Sequence, residues 1–342
     1  MAVSIFFVLS GYLLFKPYVE AMLLSAPFPK TQDFYLKRLV RIMPAYWIAL
    51  IVLWGIRATN IPNISGLLRN IFLIHPLTSQ NVFTGIHQAW TLSIELFFYL
   101  CLPWFAKFIR VWTKNKLLNV AVRNIFILLL LFYSSAYIFQ IVFSQVRFKI
   151  FETHAILFPA HLDSFALGMT ISVVVVALNV LPALHDTQDK LARMWPIFFF
   201  ISGASWFWSS QLGLALAFEK TSFHIELIGH FLYGISAVAF VLPFCLNQGS
   251  SLTAKIFGSR VCVWMGTISY GMYLWHNLFL DGHFANTYLP YRIGDMGIAT
   301  RLLVTIPGSI AIATVSYYLI ERPLIRSLSR ALQKRKIQNQ MM

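Results

Sequence analysis

The chain has 342 residues, of which 58% are hydrophobic and only 11% carry a charge. A soluble domain carries about 25% charged residues, so this composition excludes an ordinary soluble globule and indicates a helical membrane protein. The net charge is +15, but the basic residues lie between apolar stretches and accompany no groove-reading motif. They therefore predict contacts with membrane lipids and argue against nucleic acid as a partner. The three cysteines and nine histidines show no ligand spacing, so no metal site is predicted.

The apolar stretches predict an all-α polytopic membrane protein with about nine transmembrane helices in one bundle. Residues 67–77 of the longest loop are too short to cross a bilayer, so they are either re-entrant or interfacial. Most Lys and Arg residues fall in the loops that share a side with the C-terminus, which predicts an outer N-terminus and a cytoplasmic C-terminus. We expect one transmembrane domain over residues 1–321 and a basic cytoplasmic tail over residues 322–342. The predicted spans are 3–24, 43–59, 89–107, 122–143, 156–180, 196–211, 224–245, 261–280 and 300–320.

Basic residues cluster just ahead of the second predicted span. Lys37, Arg38 and Arg41 can share one helical face before Pro44. Two interpretations remain open: simple anchoring on the cytoplasmic side, or a phosphate clamp, because guanidinium groups bind phosphate in bidentate fashion. Glu321 at the inner edge of the last span could pair with Arg38 or Arg41 and fix their orientation.

The third predicted span carries one carboxylate, Glu95, among apolar neighbours. An ionised group at the centre of a bilayer costs at least about 2.5–3.5 kcal/mol, so Glu95 should either form a buried hydrogen bond to another helix or take part in acid/base chemistry. The predicted orientation puts Glu95, Asp163 and His276 in the outer half of the bundle. We therefore expect these side chains to share a single polar cavity.

Small and polar residues form one stripe along the eighth predicted span, at i, i+4, i+7, i+11 and i+14. One interpretation is that the stripe lets helices approach closely. The other is that it lines a cavity and ends in a titratable imidazole. The residues of the stripe are Cys262, Gly266, Ser269, Tyr273 and His276.

Several short blocks along the chain together resemble the membrane-bound acyltransferase-3 family, and they occur in the order typical of that family. A weaker block is Asp163-Ser-Phe-Ala-Leu-Gly168. The stronger blocks are Phe6-Phe-Val-Leu-Ser-Gly11; Arg38-x-x-Arg41-x-x-Pro44 with Tyr46; Trp90-Thr-Leu-Ser-Ile-Glu95 with Tyr99; Ser269-Tyr-Gly-Met-Tyr273-Leu-Trp-His276; and Glu321-Arg-Pro323.

The resemblance implies an integral protein of the bacterial cytoplasmic membrane that moves an acyl group, usually acetyl, from cytoplasmic acyl-CoA to a hydroxyl acceptor. The acceptor would be an exported glycan, a lipid-linked glycan or a related molecule. By resemblance, Arg38 and Arg41 engage the phosphates of the donor, with Glu321 beside them. Glu95, Asp163, Tyr273 and His276 are then the candidate catalytic residues. An anionic-solute transporter or pore is the alternative, because a basic mouth and a buried acid suit it as well.

The chain departs from the family pattern at its beginning. Family members carry a histidine in a helix that precedes the Phe-Phe-Val-Leu-Ser-Gly block, whereas here that block begins at residue 6. Two interpretations are open, a truncated reading of a longer protein or a degenerate copy; since the other blocks are intact, we expect an N-terminal truncation, with an additional upstream helix in the longer protein. The chain as given could then be inactive.

Overall fold

A computed structural model describes residues 1–24, 26–61, 63–77, 83–145, 157–181, 184–218, 223–246, 252–280 and 298–341. Within these ranges the regular structure is entirely helical. Short 3₁₀ turns occur at His75–Leu77 and Phe158–His161, and a π turn at Tyr317–Glu321. The helices are α1 Ala2–Leu23, α2 Thr31–Gly55, α3 Ile64–Ile71, α4 Ala89–Thr113, α5 Leu118–Gln145, α6 Leu162–Val180, α7 His185–Arg193, α8 Trp195–Phe218, α9 Phe223–Leu246, α10 Leu252–Phe257, α11 Arg260–Leu280, α12 Ile298–Ser316 and α13 Arg322–Met341.

The predicted class is confirmed: this is an all-α, multi-pass membrane protein. Each predicted span overlaps one of the helices, while the number of crossings and their orientation stay predictions. Among the described residues, six helical segments are long and apolar enough to cross a membrane. They are Ala2–Leu23, Ala89–Thr113, Leu118–Phe143, Phe158–Val180, Leu227–Leu246 and Arg301–Arg335.

Two helices begin at places that matter for the site. Helix α2 begins at Thr31, well before the predicted span, so Arg38 and Arg41 lie inside a continuous helix. Helix α6 begins at Leu162, which puts Asp163 in its first turn. A carboxylate there is favoured by the positive end of the helix dipole.

The chain divides into two compact units, each built from two separate stretches. The first unit contains Met1–Pro29 and Phe97–Lys255, and the second contains Lys30–Leu96 and Ile256–Met342. Helix α4 contributes its first turns to the second unit and the rest to the first.

The first unit is centred on the contact between α1 and α6. Gly11 faces the backbone of Phe165, and Gly168 faces the backbone of Val8, so a Cβ atom at either glycine would collide with a carbonyl oxygen. Aromatic rings fill the neighbouring space: Phe98 stacks on Phe165 with ring centroids 3.9 Å apart. Two of the blocks quoted above, the one that begins at Phe6 and the one that begins at Asp163, thus pack against each other.

The second unit packs α11 against α12. A Cβ atom at Gly271 would lie 3.0 Å from the Cα of Ala313, so the two backbones approach closely there. Two side chains in the second half of α2 bond to the end of α3. The Tyr46 hydroxyl donates to the carbonyl of Asn70 at 2.8 Å, and Trp47 Nε1 donates to the carbonyl of Ile71 at 3.0 Å. These bonds hold α3 to α2.

The segment predicted to be re-entrant or interfacial contains α3, whose first turn is capped by Asn63 through a bond from the Gly66 amide. Ile64, Leu68 and Phe72 lie on one side of this segment and are exposed. An apolar face of this kind suits the membrane interface.

Candidate functional site

A polar cluster joins the start of α4 to the second half of α11 within the second unit. Gln88 Nε2 donates to the carbonyls of Tyr273 at 2.6 Å and Leu274 at 3.0 Å, and Gln88 Oε1 accepts from Asn277 Nδ2 at 2.7 Å. The Tyr273 hydroxyl in turn donates to the Gln88 carbonyl at 2.9 Å and contacts Thr91 Oγ1. Reciprocal bonds of this kind fix the rotation of α11 relative to the first turn of α4.

His276 lies one turn after Tyr273, and its ring orientation is set by the backbone. Its Nδ1 atom is 2.9 Å from the Tyr273 carbonyl oxygen. A carbonyl oxygen can only accept, so Nδ1 must carry the proton, and Nε2 of the neutral imidazole keeps its lone pair. His276 therefore presents a proton acceptor at Nε2.

Glu95 is buried, with 3% of its surface exposed. Its carboxylate interacts electrostatically with the phenol groups of both Tyr270 and Tyr273. Glu95 and His276 thus each lie near Tyr273, while a shared catalytic site of these three residues stays a prediction.

A second group of polar residues lies at the level of the arginines. The Tyr270 hydroxyl donates to the carbonyl of Ile42, one residue after Arg41, at 2.8 Å. Glu321 is buried, accepts a bond from Ser316 Oγ at 3.4 Å and interacts electrostatically with Arg41. The pairing of Glu321 with Arg38 or Arg41 stays a prediction.

Tyr270 connects these two groups. It interacts electrostatically with Glu321 and Arg41 on one side and with Glu95 on the other. Tyr273, one turn further along α11, continues the path to Gln88. Helix α11 thus carries polar groups from the arginine level to His276.

Asp163 belongs to the first unit, where it is fully buried and has His230 of α9 as its partner. The distance between His230 Nε2 and Asp163 Oδ2 is 2.9 Å. The rings of His161 and Tyr137 lie 5.6 and 6.1 Å from the His230 ring. Asp163 thus has a partner, His230, that the sequence did not reveal. The grouping of Asp163 with Glu95 and His276 in one cavity stays a prediction, since the latter two residues belong to the second unit.

The stripe on α11 does not form the helix-packing surface in the part of the chain that the structure describes. Gly266 faces open space, Ser269 is exposed, and the Ser269 hydroxyl donates to the Gly266 carbonyl of its own helix at 2.9 Å. Gly271, outside the stripe, makes the close approach to α12 instead. The packing interpretation is therefore wrong for Gly266, while Tyr273 and His276 join the polar cluster.

Sequence reasoning missed Gln88, Asn277, Tyr270 and His230 as partners of the candidate residues. Gln88 comes shortly before the block that starts at Trp90, and Asn277 directly follows the block that ends at His276. Because both residues lie beside these blocks, the sequence could have indicated that they belong to the same site. His230 gave none, since it lies within an apolar helix far along the chain from Asp163.

Comparisons with known proteins identify relatives over most of the chain. A family model described as an acyltransferase domain matches residues 1–321. YrhL of Bacillus subtilis, a provisionally named peptidoglycan O-acetyltransferase, is 23% identical over 96% of this chain and 52% of its own length. The peptidoglycan O-acetyltransferase OatA of Listeria monocytogenes is 25% identical over 95% of this chain and 51% of its own length.

A shorter match covers 35% of the chain and 36% of nodulation protein 10 of Rhizobium leguminosarum, at 29% identity. The chain spans about half the length of the two peptidoglycan relatives. No solved structure matches it.

Proposed function

Because the chain belongs to the acyltransferase-3 family, whose model covers residues 1–321, we propose that it is a membrane O-acetyltransferase. It takes acetyl from acetyl-CoA on the cytoplasmic side and transfers it to a hydroxyl of an exported glycan. Peptidoglycan is the first acceptor to test, since two relatives are named for its O-acetylation. The family match does not favour the alternative of an anionic-solute transporter.

The observation that carries this proposal is the orientation of His276. Its Nδ1 proton is committed to the Tyr273 carbonyl, so Nε2 is the basic atom. General acid/base chemistry needs an imidazole held in this way. The bonds between Gln88 and α11 keep the imidazole-bearing turn in place.

We assign the proton transfer in the reaction to His276. Nε2 takes the proton of the acceptor hydroxyl while the hydroxyl oxygen bonds to the acetyl carbonyl carbon. The carbon–sulfur bond of the thioester then breaks, and the proton passes from Nε2 to the leaving thiolate. Glu95, buried beside Tyr273, favours the protonated imidazolium that forms between these steps.

Arg38 and Arg41 hold the donor. Both lie on α2, one turn apart, and the Tyr270 bond to Ile42 fixes this part of α2 against α11. Paired guanidinium groups suit the pyrophosphate of CoA. Glu321, near Arg41, helps orient the guanidinium group.

The test uses the purified chain in lipid nanodiscs, with acetyl-CoA binding and transfer of labelled acetyl to peptidoglycan fragments measured separately. We expect Arg38→Gln with Arg41→Gln to weaken acetyl-CoA binding roughly tenfold or more, because charge-assisted bonds are lost. The matched control, Lys114→Gln with Lys116→Gln, removes two exposed charges from the loop before α5 and should bind normally.

The histidine is tested by His276→Gln, which should bind acetyl-CoA but lose transfer and hydrolysis. His87→Gln removes an exposed imidazole that stacks on Phe83 in the same unit, and it should leave both readouts unchanged. Full transfer by His276→Gln would remove His276 from the mechanism. A wild-type chain that does not bind acetyl-CoA would contradict the proposal as a whole.

A further inference from the structure

Two backbone carbonyls of α11 determine which way the side-chain amide of Gln88 faces. This amide lies 2.6 Å from the carbonyl oxygen of Tyr273 and 3.0 Å from the carbonyl oxygen of Leu274. Carbonyl oxygens only accept hydrogen bonds, so the amide nitrogen Nε2 must be the atom that faces them. The amide oxygen Oε1 of Gln88 therefore faces away from these carbonyls.

Asn277 supplies the donor that this orientation requires. Its side-chain amide lies 2.7 Å from Gln88 Oε1. Because Oε1 can only accept, the nitrogen Nδ2 of Asn277 must face it. Gln88 is buried, with 7% of its surface exposed, and Asn277 is half-buried. Leaving Oε1 without a donor at this depth would cost free energy, since its hydration is not regained.

The backbone of Gln88 is held separately from its side chain. The Tyr273 hydroxyl donates to the Gln88 carbonyl at 2.9 Å, and Thr91 Oγ1 donates to the same carbonyl at 3.1 Å. The main freedom left to the side chain is a half-turn of its amide, which exchanges Nε2 and Oε1. Asn277 and the two carbonyls of α11 together select one of these two orientations.

The same network reaches the imidazole of His276. The Tyr273 carbonyl oxygen accepts from Gln88 Nε2 and also from His276 Nδ1, which lies 2.9 Å away. An amide whose oxygen accepts a hydrogen bond is polarised and becomes a stronger donor. The chain of hydrogen bonds that begins at Asn277 thus ends at the imidazole.

We infer that Asn277 is a positioning residue for acetyl transfer, acting through Gln88 on the orientation of His276. This inference rests on the proposed function. Without a donor at position 277, the Gln88 amide can turn over and place Oε1 against the Tyr273 carbonyl oxygen. Two acceptors then repel each other, the carbonyl shifts, and His276 loses the bond that keeps its proton on Nδ1.

The experiment compares Asn277→Ala, which removes the donor, with Asn277→Asp, which keeps the shape but sets an acceptor against Gln88 Oε1. We expect kcat of acetyl transfer to fall roughly tenfold in the first variant and by a further factor of about ten in the second. The affinity for acetyl-CoA should stay unchanged in both. A role in packing alone predicts the opposite order, because aspartate fills the space of asparagine and alanine does not.

Nitrogen NMR of labelled histidine gives an independent readout in nanodiscs at about pH 8, where an ordinary imidazole is neutral. The signal of His276, identified by its absence in His276→Gln, should show a single tautomer with the proton on Nδ1. Both Asn277 variants should show a mixture of tautomers. A wild-type imidazole with its proton on Nε2 would overturn the inference without any variant.

The matched controls are Asn124→Ala and Asn124→Asp. They remove a bond of the same kind in the first unit, from Asn124 Nδ2 to the Trp112 carbonyl at 3.0 Å, and should keep both kcat and the His276 signal of the wild type. An Asn277→Asp variant with wild-type kcat and a single Nδ1 tautomer would overturn the inference. A wild type that shows the expected tautomer but transfers no acetyl group would instead contradict the proposed function.

Discussion

Glu95 illustrates what a single residue in this sequence reveals. The free-energy cost of a carboxylate inside a membrane marks Glu95 as a residue with a partner or a role, and in the structure Glu95 interacts electrostatically with Tyr270 and Tyr273. The sequence also predicts that Tyr273 and His276 belong to the same site. The hydrogen bonds from Gln88 to the backbone of Tyr273 and Leu274 could not be predicted, since they depend on the rotation of α11 relative to α4.

His75 gives a prediction at this scale. It belongs to the 3₁₀ turn that follows α3 in the chain and is fully buried, and burial lowers its pKa from 6.5 to about 4. The folded protein therefore keeps the imidazole neutral, whereas the unfolded chain takes up a proton below pH 6.5. The resulting stability is fully present above pH 6.5 and is lost as the pH falls toward 4.

We expect the free energy of unfolding to fall by about 2 kcal/mol between pH 7 and pH 5 through this residue alone. His75→Asn should remove this part of the pH dependence, measured by thermal unfolding in detergent at a series of pH values. His87→Gln should retain it. An unchanged pH profile in His75→Asn would show that His75 does not contribute.

At the scale of elements, the sequence blocks have clear structural uses. The block that ends at Gly11 and the block that ends at Gly168 form the two sides of the contact between α1 and α6. The positions of both helices could be predicted from hydropathy. Their pairing could not, because small residues at a helix surface do not specify which helix will approach them.

Gly168→Ala tests this contact. The added methyl group would meet the backbone of Val8, which cannot move without separating the two helices. We expect a loss of about 1–3 kcal/mol, as is typical of overpacking, seen as a lower midpoint of thermal unfolding.

Gly203→Ala in α8 is the matched control. A Cβ atom there has nothing within 4 Å, so the substitution should be neutral or should stabilise the helix by up to about 1 kcal/mol. Equal effects of the two substitutions would mean that the contact between α1 and α6 is not tightly packed.

For the whole molecule, composition was sufficient to predict a multi-pass helical protein. The sequence did not predict the division into two compact units, because each unit combines stretches that lie far apart in the chain. All the residues proposed to bind the donor, and the His276 cluster, belong to the second unit. Asp163 and His230 belong to the first.

Orientation is the prediction at this scale. The distribution of Lys and Arg places the C-terminus in the cytoplasm, where CoA is available. We expect Lys334→Cys, in a background without the native cysteines, to react with a membrane-impermeant maleimide only after the cells are permeabilised. Asn60→Cys, exposed between α2 and α3, should react in intact cells. The reverse pattern would contradict both the orientation and the proposed donor side.

The interleaving of the two units also has a consequence for biosynthesis. The arginines of α2 leave the ribosome early, but Tyr270 and Glu321 come from the stretch after residue 256. At about 5–20 residues per second, α2 waits in the membrane for roughly ten seconds or more before these neighbours are made. During that interval the nascent chain carries its positive charges without the residues that orient them, so a ribosome that stalls before α11 releases a fragment that cannot form the donor site.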